Sequence, residues 1–220
     1  MLGEEFGRSG ASSRCWVLDP IDGTKNFVRG VPVWATLIGL MADGEVTVGV
    51  VSAPALGRRW WAAESGGAWT GRSLTKAAAC RVSEVTRLAD ASLSYSDLST
   101  WEQRGLLGSF LDLARSVWRT RAYGDFWSHV LVAEGAVDIS AESEVSLWDL
   151  AALQIIVQEA GGIFTDLSGK ATPDGGSAVC TNGALHDDVL ALLGAQPGEP
   201  GGQGEQGGQG VADGDPMTDA

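Results

Sequence analysis

The sequence predicts a layered α/β fold, on three observations. Residues 33–71 carry two hairpin signals in succession, residues 91–194 alternate strand-like runs with apolar residues at helical spacing, and the two patterns meet near residue 88. That organisation gives a sheet-dominated lobe of about 1–88 and an α/β lobe of about 89–194. With 220 residues and 44% hydrophobic content, the chain can bury a substantial core.

Each element follows in order. Val17-Leu18 ends a strand, Pro20 keeps Asp19 out of helical geometry, and Gly23-Thr24 opens a short helix. Runs 33–41 and 45–54 flank Ala42-Asp43-Gly44, and runs 58–64 and 68–71 flank Ser65-Gly66-Gly67, which predicts an antiparallel meander. In the second lobe, 91–96 reads as a strand. Leu106, Leu107, Phe110, Leu111, Leu113, Ala114 and Val117 then place a helix within 101–121. A helix over 127–134 stops at Gly135, a short strand covers 136–140, and a helix over 147–160 stops at Gly161-Gly162. In that last helix Leu150, Leu153, Ile156, Val157 and Ala160 share one side. GIFTD and SAVCTN read as strands and 185–194 as a closing helix. Segment 195–220 has no Lys or Arg and little that is apolar, so it reads as a disordered acidic tail.

The formal charge of −13 argues against nucleic acid or an anionic membrane as partner, because the long-range field repels phosphate. Cys15, Cys80 and Cys180 are odd in number and far apart, which suits a reducing compartment better than disulfides or zinc. The N-terminus lacks the basic-then-apolar order of a signal peptide, and no window approaches about 18 continuous apolar residues. A cytoplasmic protein is expected.

The chemistry concentrates in WVLDPIDGTKN, residues 16–26. Asp19 and Asp22 sit at the expected strand-to-helix junction, where carboxylates can converge on a cation while the first helical amides face an anion. Two carboxylates about 4 Å apart repel by about 4 kcal/mol at an effective dielectric near 20, so clustering them calls for protonation or a metal. Oxygen donors favour Mg²⁺. Asp-Pro and Asp-Gly are also ordinary turn dipeptides, and either alone would be read as a turn. Glu4-Glu5 before the strand and Asp149 in the first turn of the 147–160 helix add acids, although Asp149 also fits a helix cap.

LGEE (2–5), WVLDPIDGTKNF (16–27) and WDLAALQIIVQEAGG (148–162) resemble, in order and spacing, the signature motifs of the inositol monophosphatase family. Within it, DPIDGTKNFVRGVPVWATLIGLM, VSAPALGRRWWA and AYGDFWSHVLVAEGAVDIS look most similar to the histidinol-phosphate phosphatases. The resemblance covers about 1–194 and implies an αβαβα sandwich that hydrolyses a small phosphorylated metabolite with Mg²⁺. Carried over by motif position, Glu4, Asp19 and the Ile21 carbonyl would hold one metal, and Asp19, Asp22 and Asp149 a second. Glu4 and Thr24 would orient the attacking water, and the Gly23 and Thr24 amides would grip phosphate. Asp125 and Glu142 match positions that contact the substrate beyond its phosphate, and an acidic pair there suits an amine or imidazolium better than a neutral polyol. The bland reading has Asp125 capping a helix and Glu142 in a solvated loop.

The family pattern starts upstream of this chain, with two helices and an aspartate that pairs with the hydroxyl equivalent to Thr24. By that pattern the sequence is N-terminally incomplete. The expected function is histidinol phosphate hydrolysis, a late step of histidine synthesis. An inositol or broad sugar-phosphate phosphatase is the alternative in the same class, and a noncatalytic metal- or phosphate-binding remnant the alternative outside it. A homodimer is compatible with the resemblance, though no stretch marks its interface, and lithium sensitivity is expected only with an intact metal site.

His129 and His186 lack partners at ligand spacing and read as structural or exposed, Lys25 and Arg29 as charge-balancing or solvated, and one of Trp60 and Trp61 should face the core. There is no Walker A, GxSxG or Cys-x5-Arg, and DxxD stands in place of DxD, which disfavours covalent phosphatase chemistries.

Overall fold

The computed structural model describes residues 1–5, 7–8 and 13–194; the acidic segment 195–220 lies outside the described residues. Strands β1 (Leu2–Gly3), β2 (Gly7–Arg8) and β3 (Arg14–Asp22) precede the five-residue helix α1 (Thr24–Val28). Strands β4 (Ala35–Ala42), β5 (Glu45–Ala53), β6 (Arg58–Ala63), β7 (Ala68–Gly71) and β8 (Ala77–Ala79) follow. They form one sheet in the order β2-β1-β3-β4-β5-β6-β7-β8, a meander from β3 onward with β1 parallel to β3. The expected hairpins form. Asp43 and Gly44 both take positive φ, 53° and 93°, as a tight turn matched to right-handed strand twist requires.

The second half contains β9 (Ser92–Ser94), α2 (Ser99–Gln103), α3 (Leu107–Ser116), β10 (Arg119–Arg121) and α4 (Asp125–Ala133). It continues with β11 (Ile139–Glu142), α5 (Leu147–Glu159), β12 (Ile163–Thr165), β13 (Ala178–Thr181) and α6 (His186–Leu193). Its sheet runs β10-β9-β11-β13-β12, with β10, β9 and β11 parallel and β13 antiparallel to both neighbours.

Four expectations need correction. The helix within 101–121 is two helices and a strand: Gly105 takes a left-handed φ of 69° that ends α2, and residues 119–121 pair with β9. The helix expected from 127 begins at Asp125, and the strand expected at 136–140 lies at Ile139–Glu142. The strand expected to end at Leu18 runs on to Asp22.

Two hydrophobic clusters separate four layers. Val17, Leu37, Val51 and Trp60 of the large sheet pack against Phe126, Val130, Leu150, Leu153 and Ile156 of α4 and α5. Leu93, Ile139 and Val179 of the small sheet pack against Trp101, Phe110, Leu113 and Val189 of α2, α3 and α6. Because α5 lies inside the stack, Leu150 to Val157 are all buried, not the single stripe that periodicity suggested. Bare backbone lets it approach the sheet: a Cβ on Gly49 would stand 2.4 Å from the Ala152 carbonyl oxygen. That contact fixes α5 across β3, β4 and β5 and carries Asp149, in its first turn, to the end of β3. On the opposite face of the sheet Trp16 and Trp69 are exposed, while Trp60 is fully buried and Trp61 half-buried, as expected for that pair. Among the described residues no helix is long and apolar enough to cross a membrane.

Candidate active site

The site opens at the end of β3. Pairing with β4 matches Asp19 to Leu37 and Asp22 to Ala35, so three steps along β3 oppose two along β4. This one-residue bulge reverses the usual alternation and turns both aspartates to the same face, where a regular strand would send residues three apart to opposite faces. Pro20 is tolerated because β1 pairs only as far as Leu18, leaving that edge of β3 without a donor requirement. The Ile21 amide donates to Asp19 Oδ1 at 2.9 Å and the Phe126 amide to Asp22 Oδ2 at 2.8 Å. The second bond ties the start of α4 to the strand end. Gly23 then takes φ 79° and turns the chain into α1; a Cβ there would crowd the Val33 carbonyl oxygen at 3.0 Å.

Asp149 arrives from α5. Its Oδ2 accepts the Ser146 amide at 2.8 Å, so the residue caps its helix, and the same carboxylate joins Asp19 and Asp22 in a trio whose ligand oxygens lie within 4.8 Å of one another. The cap and the metal-ligand readings of Asp149 are therefore compatible. Glu4 is exposed and lines the same cleft, with its amide on the Leu18 carbonyl at 3.4 Å. Thr24 is exposed too, and its hydroxyl donates to the Ile21 carbonyl at 2.8 Å.

The cleft, about 790 Å³, is also lined by Ser96, Asp97, Thr100, Asp125, Glu142 and Glu144. Glu142 is buried at the end of β11, which overturns the solvated-loop reading. Asp125 opens α4 without a side-chain cap bond and takes φ 50°, a left-handed conformation that costs a non-glycine residue. Asn26 Nδ2 donates to Asp125 Oδ2 at 2.9 Å, the Asp125 amide to Ser96 Oγ at 3.1 Å, and Ser96 Oγ to Glu142 Oε1 at 2.7 Å. Neither Asn26 nor Ser96 was singled out from sequence. Asn26 stands inside the conspicuous motif, but nothing local marks Ser96, whose partners are 29 and 46 residues away.

Among the described residues, eight carboxylates line the cleft (Glu4, Asp19, Asp22, Asp97, Asp125, Glu142, Glu144, Asp149) against one lysine, Lys25. Burial first, then the charges of Glu4 and Asp149, pushes Asp19 up to about 7. Burial and the nearby Asp125 hold Asp22 well above the usual carboxylate range. Asp125 and Asp149 are raised as well, again chiefly by burial. Glu142 is pushed up to about 8 by burial, against the hydrogen bond from Ser96. Such a cluster disfavours its own ionisation and so favours any cation that joins it. His129, buried, is among the residues that line the cleft; its Nδ1 is 3.0 Å from Cys180 Sγ, and burial lowers it to about 4. His186 is also buried, between the hydroxyls of Thr165 and Thr181. Neither histidine is exposed.

A layered α/β fold with acids converging beside an exposed first turn is the architecture of a metal-assisted phosphatase. The family model described as "Inositol monophosphatase family" matches residues 1–197. The chain belongs to the inositol monophosphatase family. It is 63% identical over 195 residues to a Streptomyces coelicolor protein named histidinol-phosphatase, covering 87% of this chain and 73% of that one. A Mycobacterium tuberculosis protein of the same name is 61% identical over 196 residues, covering 89% and 75%. Among solved structures, the Thermotoga maritima IMPase superposes with a TM-score of 0.75 at 33% identity, covering 87% of this chain and 72% of that one.

Proposed function

We propose that this chain is a Mg²⁺-dependent phosphomonoesterase that releases phosphate from histidinol phosphate. The observation that carries the reading is the oxygen trio of Asp19, Asp22 and Asp149 in a cleft that Asp125 and Glu142 also line. The donor set fits a hard divalent cation: it is all oxygen, it is half-buried to buried, and its acids gain most from a partner charge. Asp19, Asp22 and Asp149, with Glu4 and the Ile21 carbonyl, would hold it. The bound metal would supply polarisation of the phosphate and a water of lowered pKa.

The chain's own residues do the rest. Gly23 and Thr24 present amides at the start of α1, which lack intrahelical acceptors and suit phosphate oxygens. The Thr24 hydroxyl gives its proton to Ile21, so its lone pairs face outward to accept from water, while Glu4 at the cleft edge orients that water from the other side. Asp125 and Glu142 hold the cationic alcohol and set its distance from the trio. Two relatives more than 60% identical bear the name histidinol-phosphatase, which favours this substrate over a neutral polyol phosphate. Phosphate release from histidinol phosphate and from inositol 1-phosphate, measured side by side with Mg²⁺, tests the reading. A clear preference for histidinol phosphate is expected, and equal turnover of the two sinks the assignment.

A further inference from the structure

We infer that Ser96 is a positioning residue that joins Asp125 and Glu142 into one cation-reading unit and so sets the discrimination between charged and uncharged alcohols; this rests on the substrate reading above. The hydroxyl's roles are fixed by its neighbours. A backbone amide can only donate, so the 3.1 Å contact from Asp125 occupies a lone pair of Ser96 Oγ. The hydroxyl's single proton then goes to Glu142 Oε1 at 2.7 Å. Three elements meet at this one atom: the segment following β9, the first residue of α4, and the last residue of β11. Asp125 needs such support because its backbone sits at φ 50°. Asn26 fixes its carboxylate from the α1 side at 2.9 Å, and Ser96 fixes its backbone from the other. Without the hydroxyl, the Asp125 amide loses its acceptor and Glu142 loses a donor, so the backbone under one carboxylate and the side chain of the other are loosened by the same change. The acids of the trio accept from other amides, those of Ile21, Phe126 and Ser146, of which Phe126 directly follows Asp125.

The test compares kcat/KM on histidinol phosphate with kcat/KM on glycerol 2-phosphate, whose alcohol part is uncharged. For Ser96→Ala the ratio of the two is expected to fall about tenfold, carried by KM on the charged ester, and Ser96→Thr, which keeps the hydroxyl, is expected to restore it. Equilibrium binding of histidinol itself by titration calorimetry should weaken by about the same factor in Ser96→Ala, independent of turnover. Ser96→Cys, of similar size but a poor donor, gives the same comparison if the alanine variant does not fold. A wild-type ratio near one overturns both the substrate reading and this inference. A wild-type preference that Ser96→Ala leaves intact, or an equal loss on both esters, overturns the role of Ser96 alone.

Discussion

The two ends of the cleft are built differently. At the metal end Asp19 and Asp22 come from one strand and Asp149 is fixed by its own helix's cap, so three groups come from two elements, with one long-range bond, from the Phe126 amide to Asp22. At the alcohol end Asp125, Glu142, Ser96 and Asn26 come from four segments and hold one another through side-chain bonds spanning 29 to 99 residues. On the proposed reading, chemistry that every substrate shares rests on the end with fewer parts, and discrimination on the end assembled from four segments.

Substitutions can separate the two. Asp22→Asn keeps the shape but removes a buried charge from the trio, and should lower turnover at least about 10³-fold on every phosphate ester; steady-state rates on charged and uncharged esters check this, and an unaltered rate on either refutes the metal role. Glu142→Gln should act on one substrate class only, lowering kcat/KM about 10- to 100-fold for histidinol phosphate and less than about threefold for inositol 1-phosphate.

The acids also predict a pH dependence. Asp19 at about 7 and Glu142 at about 8 lie above their ordinary values of 3.8 and 4.5, so the folded state binds protons more tightly than the unfolded chain does. Stability of the metal-free protein should therefore be greatest near the unfolded values and fall as pH rises through about 7 to 8. Thermal melts in chelator should show a Tm several degrees lower at pH 8 than at pH 5, with Mg²⁺ raising Tm more at pH 8. The opposite slope would mean that the carboxylates are balanced by something other than a bound cation. The smallest effect belongs to neither end: Cys80 is buried under the large sheet with its thiol pushed up to about 12, and Cys80→Ser should change turnover less than about twofold in the same assay.

The same contrast explains what was legible in the sequence. DPID was readable because two carboxylates three residues apart demand a partner, and the hairpins were readable because Asp43-Gly44 and Ser65-Gly66-Gly67 mark their own turns. The continuation of β3 to Asp22 was not, since Pro20 argues locally for a strand end and only the pairing with β4 shows the bulge. Nor was the break at Gly105, where the apolar spacing runs across a residue in left-handed conformation. Ser96 carried no signal at all. A serine after a short strand is unremarkable until Asp125 and Glu142 are folded against it.

On the proposed reading, the converging carboxylates work through a divalent cation. Phosphate release from histidinol phosphate by chelator-stripped protein, followed as Mg²⁺ is added back, tests it most directly. Negligible release is expected without metal, with a saturable rise on adding Mg²⁺ that Asp22→Asn abolishes. Full turnover in the stripped protein, unchanged by Mg²⁺, would contradict it.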